Sequence, residues 1–96
     1  MERSDIQVWD IDIDDEKVAY IATKGVAPED VFEVLEFEPR FFLRNQEWGI
    51  YNMIGPNRSG RFLVVGIQPV TEHLFRLVTA YWNTDGRAEA NYRERV

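Results

Sequence analysis

Cysteine is absent from this 96-residue chain and histidine occurs once. The first absence excludes disulfides, thiolate nucleophiles and thiolate metal sites; the second excludes a histidine-rich metal site. No apolar run reaches the roughly 18 residues of a membrane-spanning helix. Glu2, Arg3, Asp5, Asp10 and Asp12 interrupt the start, so it lacks a secretory pattern, and the expectation is a soluble, cytoplasmic protein without membrane contact. There is also no phosphate loop, dinucleotide fingerprint or Ser/His/Asp arrangement. Asp10, Asp12, Asp14 and Asp15 lack the glycine and terminal glutamate of a calcium loop and read as a solvated lead-in and helix cap, so neither metal nor cofactor is expected. Stability must come from packing. With 45% hydrophobic and 14% aromatic residues, the chain can bury one core but not two, which predicts a single domain over residues 1–96.

Charge is unevenly placed. The net charge is −6, with 13 acids and 5 bases in residues 1–48 against 4 acids and 6 bases in residues 49–96. An acidic chain repels phosphates at long range, so nonspecific nucleic-acid binding is disfavoured, although a local basic surface still works within a Debye length. The acidic half suits a basic partner equally well.

The segment Ile6–Ile13 alternates apolar and polar residues and reads as a short strand or extended lead-in anchored by Trp9. Asp14, Asp15 and Glu16 place negative charge at a helix start. Val18, Ile21 and Ala22 follow on one face, and Gly25 is suited to a left-handed cap, so a helix is predicted over 15–24. Pro28 opens a second helix that runs to Phe37, with Val31, Val34 and Leu35 as its buried stripe and Glu29, Asp30, Glu33 and Glu36 facing water. Two helices joined by a Gly-Val turn suggest a DNA reader, but Glu33, Glu36 and Glu38 give the recognition helix the wrong charge.

Beyond Pro39 the period changes. Residues 40–44, 48–54, 61–68 and 74–81 are rich in aromatic and β-branched residues and are separated by turn signals, which predicts a four-stranded antiparallel meander. Residues from Asn83 onward begin with cap residues and continue with helix formers, predicting a terminal helix of about three turns. The fold class expected is α+β.

Gly55-Pro56-Asn57 and Ser59-Gly60 supply turn chemistry between the second and third strands, so Arg58 and Arg61 sit near a hairpin tip on a rigid support. Their planar forks suit phosphate, as does that of Arg76. His73 lies in a turn with no evident partner in sequence, and its ordinary reading is an exposed turn residue. Trp9, Trp48 and Trp82, with Phe41, Phe42 and Tyr81, could stack on bases, although core and partner contacts are the commoner use of such residues.

The order helix, Gly-Val turn, helix, four strands and terminal helix comes with particular residues. These are Trp9-Asp10, Lys24-Gly25-Val26, the run from Pro28 to Leu35, Tyr51 with Gly55, the run from Gly60 to Val65, Val78-Thr79-Ala80 and Tyr92-Arg93. Together they span nearly the whole chain, which resembles the BrnT-like toxins, small ribonucleases with a RelE-like α+β fold. The resemblance implies a type II toxin-antitoxin ribonuclease that needs no metal and is neutralised by a cognate antitoxin-like protein. Several usual positions are altered. Lys24 stands for a histidine, Tyr20 for histidine or asparagine, and Ile50 and Tyr81 for arginines, while Ala88 or Glu89 occupies the place of an acidic residue.

Metal-independent RNA cleavage needs a group to deprotonate the 2′-hydroxyl, charge to stabilise the phosphorane and a group to protonate the leaving oxygen. Lys24, Tyr51, Arg61 and Tyr92 are the catalytic candidates, and Arg58, Arg61, Arg76 and Arg93 the RNA-binding ones. The resulting expectation is a toxin-family ribonuclease whose activity is weak or lost. The alternative is a noncatalytic interaction domain, in which the acidic helices or an exposed strand edge hold another protein or a second copy of the chain.

Overall fold

Asp14 starts the first helix: its carboxylate accepts the Lys17 backbone N–H at 2.8 Å, and Asp15 and Glu16 add charge to the first turn. The computed structural model describes residues 2–4, 6–37, 41–45, 49–83 and 86. In chain order these form β1 (Glu2–Ser4), β2 (Asp10–Asp12), α1 (Asp15–Ala22), α2 (Pro28–Glu36), β3 (Phe41–Asn45), β4 (Ile50–Pro56), β5 (Phe62–Pro69) and β6 (Leu74–Trp82).

Helix α1 closes with a Schellman arrangement. Gly25 N–H reaches Ala22 O at 3.0 Å and Val26 N–H reaches Ile21 O at 3.1 Å, with Gly25 at φ 73° and the buried pair Ile21 and Val26 sealing the turn. This is a left-handed position that glycine adopts without a Cβ penalty. At α2, Pro28 occupies the first turn, and the Asp30 carboxylate accepts the backbone N–H of Ala27 at 3.0 Å.

The sheet is six-stranded, ordered β1-β3-β4-β5-β6-β2. Strands β3, β4, β5 and β6 pair with their chain neighbours antiparallel, and β1 adds antiparallel outside β3. The lead-in supplies β2, which runs parallel to β6 along Leu74–Arg76. The expected four-stranded antiparallel sheet is therefore corrected to a six-stranded mixed one. Two segments at the start of the chain take the edges: β2 falls within the Ile6–Ile13 segment expected as a short strand or extended lead-in, whereas β1 had no counterpart in the sequence reading. The terminal helix expected from Asn83 onward falls outside the described residues, Asn83 and Gly86 excepted.

Both helices cover one face of the sheet. Ile21, Val31 and Val34 pack with Met53, Leu63, Val65, Ile67, Leu77 and Ala80 in one buried cluster that includes Ile11. Alternation along the strands sends Val64, Thr79 and Tyr81 to the other face. Between Gly66 and Ile67 the β5–β6 register slips: Gly66 pairs with Thr79 and Ile67 with Leu77, leaving Val78 as the extra residue.

One reading of α2 is corrected. Asp30 and Glu33 do not simply face water, because Glu33 Oε1 accepts the Arg58 backbone N–H at 2.8 Å and Asp30 Oδ1 lies 3.5 Å from Asn57 Nδ2. The helix thereby clamps the β4–β5 turn. Asn57, only 6% exposed, organises that turn from within: its Oδ1 accepts from Ser59 N (3.1 Å), Ser59 Oγ (2.9 Å) and Arg61 N (2.9 Å). Arg61 therefore leaves the turn in a fixed direction.

Candidate functional site

Helix α1 and the turn that closes it present Lys17, Tyr20 and Lys24 at i, i+3 and i+7, which places them on one flank. Beyond Arg76, the outer side of β6 has no strand partner among the described residues, and α1 packs along it. The Lys17 ammonium lies 5.5 Å and the Lys24 ammonium 5.2 Å from the centre of the Tyr20 ring. Lys24 is also 5.9 Å from the centre of the Tyr81 ring. On the next residue of β6, the Trp82 indole N–H donates to Gly25 O at 2.9 Å, fixing the turn that carries Lys24. The Arg61 guanidinium lies 3.9 Å from the centre of the Trp82 ring. Lys17, Lys24, Tyr20 and Tyr81 thus form one group where α1 meets the end of β6, and Arg61 with Trp82 forms a second on the opposite side of the strand, tied to the first through the Gly25 carbonyl.

The phenol of Tyr20 is the electrostatic focus. Its pKa lies below the ordinary value, first because the Thr79 side chain hydrogen-bonds it, then through the hydrogen bond and charge of Lys24, with Lys17 adding a smaller push. Each of these stabilises the phenolate. The Thr79 contact depends on the β5–β6 irregularity, which sets Thr79 opposite Gly66. A Cβ at Gly66 would stand 3.0 Å from Thr79 Cγ2, so the missing side chain lets Thr79 sit there.

Chemically, the cluster offers cation–π-anchored positive charge, exposed ring faces and a phenol disposed to give up its proton. Stacking engages the face of the Arg61 guanidinium and not the in-plane N–H fork that pairs with phosphate.

Among the residues singled out from sequence, Lys24 and Arg61 come together here. Tyr51 does not. It is half-buried on the helix-covered face, edge-on to Phe75 at 6.0 Å between ring centres. Its row in the sheet contains Ile67, whereas that of Trp82 contains Leu63, four residues or about 13 Å along the strand. Arg58 lines a crevice with Glu33, Glu36 and Phe37, where carboxylates oppose an anion. Arg76 donates from Nε and Nη2 to Gln68 Oε1 at 2.9 and 2.6 Å, beside Asp12, Asp14 and Lys17. Tyr92 and Arg93 lie outside the described residues, as does Trp48.

Sequence reasoning had not proposed Lys17 or Tyr20 as working members of a site, and had weighed Tyr81 and Trp82 for base stacking with core or partner contact as the favoured use. The helical spacing of Lys17, Tyr20 and Lys24 was the available signal; Thr79, Tyr81 and Trp82 join only through tertiary contact. His73 is likewise corrected from a partnerless turn residue. It stacks on Trp9 with ring centres 3.8 Å apart, and its Nδ1 is 3.4 Å from Gln7 O.

No family model, no curated protein and no solved structure matches the chain. No described helix is long and apolar enough to cross a membrane.

Proposed function

We propose that the chain is a toxin-class domain of the BrnT-like, RelE-like type that binds single-stranded RNA at the Lys17, Tyr20, Lys24, Arg61 and Trp82 cluster. The observation that carries this reading is the convergence itself. Lys24, Tyr20 and Tyr81, three positions at which the resemblance puts functional side chains, meet at the end of β6, where Arg61 stacks on the next residue, Trp82.

In this reading the phosphate pairs with the Arg61 fork and the Lys24 ammonium, while bases stack on the exposed Tyr81 ring. The phenolate form of Tyr20, favoured by Thr79 and the two lysines, takes the proton of the 2′-hydroxyl, the neighbouring cations stabilise charge on the phosphorane, and the phenol so formed returns the proton to the leaving 5′-oxygen. Cleavage is slow because a tyrosine, protonated for most of the time at neutral pH, stands in for an imidazole as proton acceptor. The net charge of −6 does not forbid such binding, since screening at physiological salt leaves charges within about 8 Å in control. In a type II module the antitoxin would cover this surface.

The test is binding and cleavage of a labelled single-stranded RNA without divalent metal. Arg61→Ala is expected to weaken binding about 10-fold, or about 1.4 kcal/mol. Tyr20→Phe is expected to retain binding and slow cleavage by about 100-fold. An intact protein that does not bind RNA at low salt, or binding indifferent to both Arg61 and Lys24, overturns the reading.

A further inference from the structure

Three residues of neighbouring strands stand in one row near the start of β6. The register sets Asp12 of β2 opposite Arg76 of β6, and Arg76 opposite Gln68 of β5. Alternation points all three away from the helix-covered face, since Ile11, Ile67 and Leu77 beside them lie in the core. Neighbouring strands are about 4.8 Å apart, and a carboxylate and a guanidinium placed so ordinarily pair. Arg76 turns the other way. Its Nε and Nη2 both donate to Gln68 Oε1, at 2.9 and 2.6 Å, which holds the planar fork toward β5. That uses one edge of the fork; the end edge, made by Nη1 and the second Nη2 hydrogen, has no partner among the described residues.

The result is a cleft of about 330 Å³ between Arg76 and Asp12, at the small end of ligand sites. Leu77 and Val78 line it from β6, Val78 being the extra residue at the register slip, and Asp14 and Lys17 line it from the start of α1. One Asp14 oxygen is committed to the Lys17 backbone N–H. Lys17 joins the cleft to the Tyr20 group, its ammonium 5.5 Å from the centre of that ring.

Charge selects the class of ligand. Two carboxylates and two cations sum to zero, so a free phosphate loses to Asp12 and Asp14 what it gains from Arg76 and Lys17, and a divalent cation meets the reverse. The cleft instead sets donors on Arg76 against acceptors on Asp12. A neutral planar ring with acceptors on one edge and adjacent N–H donors on the next satisfies both sides. Among the bases of RNA that ring is guanine: its O6 and N7 accept from an arginine fork, and its N1–H and N2–H donate side by side to one carboxylate. Adenine brings its N6 amino group against the Arg76 donors, and neither pyrimidine has two neighbouring donors.

We propose that the cleft between Asp12 and Arg76 is a guanine subsite, in which Asp12 accepts N1–H and N2–H while Arg76, held by Gln68, donates to O6 and N7. The subsite deepens the RNA-binding reading above and rests on it. Arg76 lies three residues, about 10 Å, along β6 from Thr79, whose side chain bonds Tyr20, so the guanosine read here is close to the bond that Tyr20 attacks.

The experiment is an NMR titration of the full chain with the 5′-monophosphates of guanosine (GMP), inosine (IMP) and adenosine (AMP), and with inorganic phosphate. The nucleotides share one phosphate, and inosine lacks only the N2 amino group of guanosine. GMP is expected to shift Lys17, Gln68 and Arg76, with IMP about 10-fold weaker through loss of one charge-assisted hydrogen bond. Asp12→Asn, at an exposed position and close in shape, should weaken GMP about 10-fold and bring GMP and IMP within about 3-fold. Gln68→Ala frees Arg76 to swing onto Asp12 and should weaken GMP about 5-fold. Equal affinity for the three nucleotides and phosphate marks an anion site and overturns the proposal. So does AMP binding tighter than GMP, an Asp12→Asn chain that keeps its guanine preference, or no shift at about 10 mM GMP. Guanine-selective binding by a chain that binds no single-stranded RNA upholds the subsite and removes the RNA reading; RNA binding without guanine preference upholds that reading and removes the subsite.

Discussion

Replacing Asn57 by alanine tests how firmly the β4–β5 turn holds Arg61. The Asn57 side chain is 6% exposed, and its single Oδ1 collects three donors, the backbone N–H groups of Ser59 and Arg61 and the Ser59 hydroxyl, at 2.9 to 3.1 Å. One carbonyl oxygen has two lone pairs, so these three contacts amount to about two full hydrogen bonds. At about 1 kcal/mol net for each, Asn57→Ala should cost roughly 2 kcal/mol, with the turn's backbone bonds from Asn57 to Arg61 and Gly60 retained. For a domain of this length that lowers Tm by about 8 to 16 °C. Asn57→Asp is the informative companion. It keeps the acceptor oxygens but places a carboxylate 3.5 Å from Asp30 Oδ1, where an amide now stands, so it should also destabilise, and more so at neutral than at acid pH. Urea unfolding of the three proteins gives the comparison directly. A loss under about 0.5 kcal/mol for Asn57→Ala would refute the argument that this side chain organises the turn. The same variant should weaken RNA binding more than its stability loss explains, because Arg61 loses the anchor that aims it at Trp82.

Two further outcomes follow from the geometry. Tyr20 should titrate below the usual tyrosine range when followed by ultraviolet absorbance, and Lys24→Ala should move it back toward about 10. Because its folded-state pKa is the lower one, Tyr20 adds no stability at neutral pH; its contribution grows only as pH rises from the folded value toward the unfolded one, and Tyr20→Phe should remove that alkaline gain. Gly25→Ala should cost about 1 to 2 kcal/mol through its φ of 73°, measured by thermal unfolding, and an unchanged Tm would mean that the turn carrying Lys24 relaxes freely.

Much of the local structure was legible along the chain. The α1 and α2 boundaries followed from Asp14, Gly25 and Pro28, whose effects reach only a turn or so, and the four long strands followed from β-branched and aromatic runs bounded by turn residues. The candidate site was legible only in part. Lys24 and Arg61 were named because charge and turn chemistry mark them, whereas the distance of Tyr51 from them, with its ring edge-on to Phe75, came only from the strand register. Glu33 looked solvated until the Arg58 N–H was found on it.

The sequence by itself determined an α+β chain dependent on packing, with acidic charge gathered in its first half and turn-forming residues around Arg58 and Arg61. Those properties come from composition and from interactions between residues a few positions apart. Tertiary structure decided that β2 runs parallel to β6, that Trp9 stacks on His73 and that Tyr20, Arg61 and Trp82 share one end of the sheet. Each joins residues 20 to 65 positions apart, and the partner across such a span is chosen by which edges and faces remain unfilled once the core has closed, which no local pattern encodes.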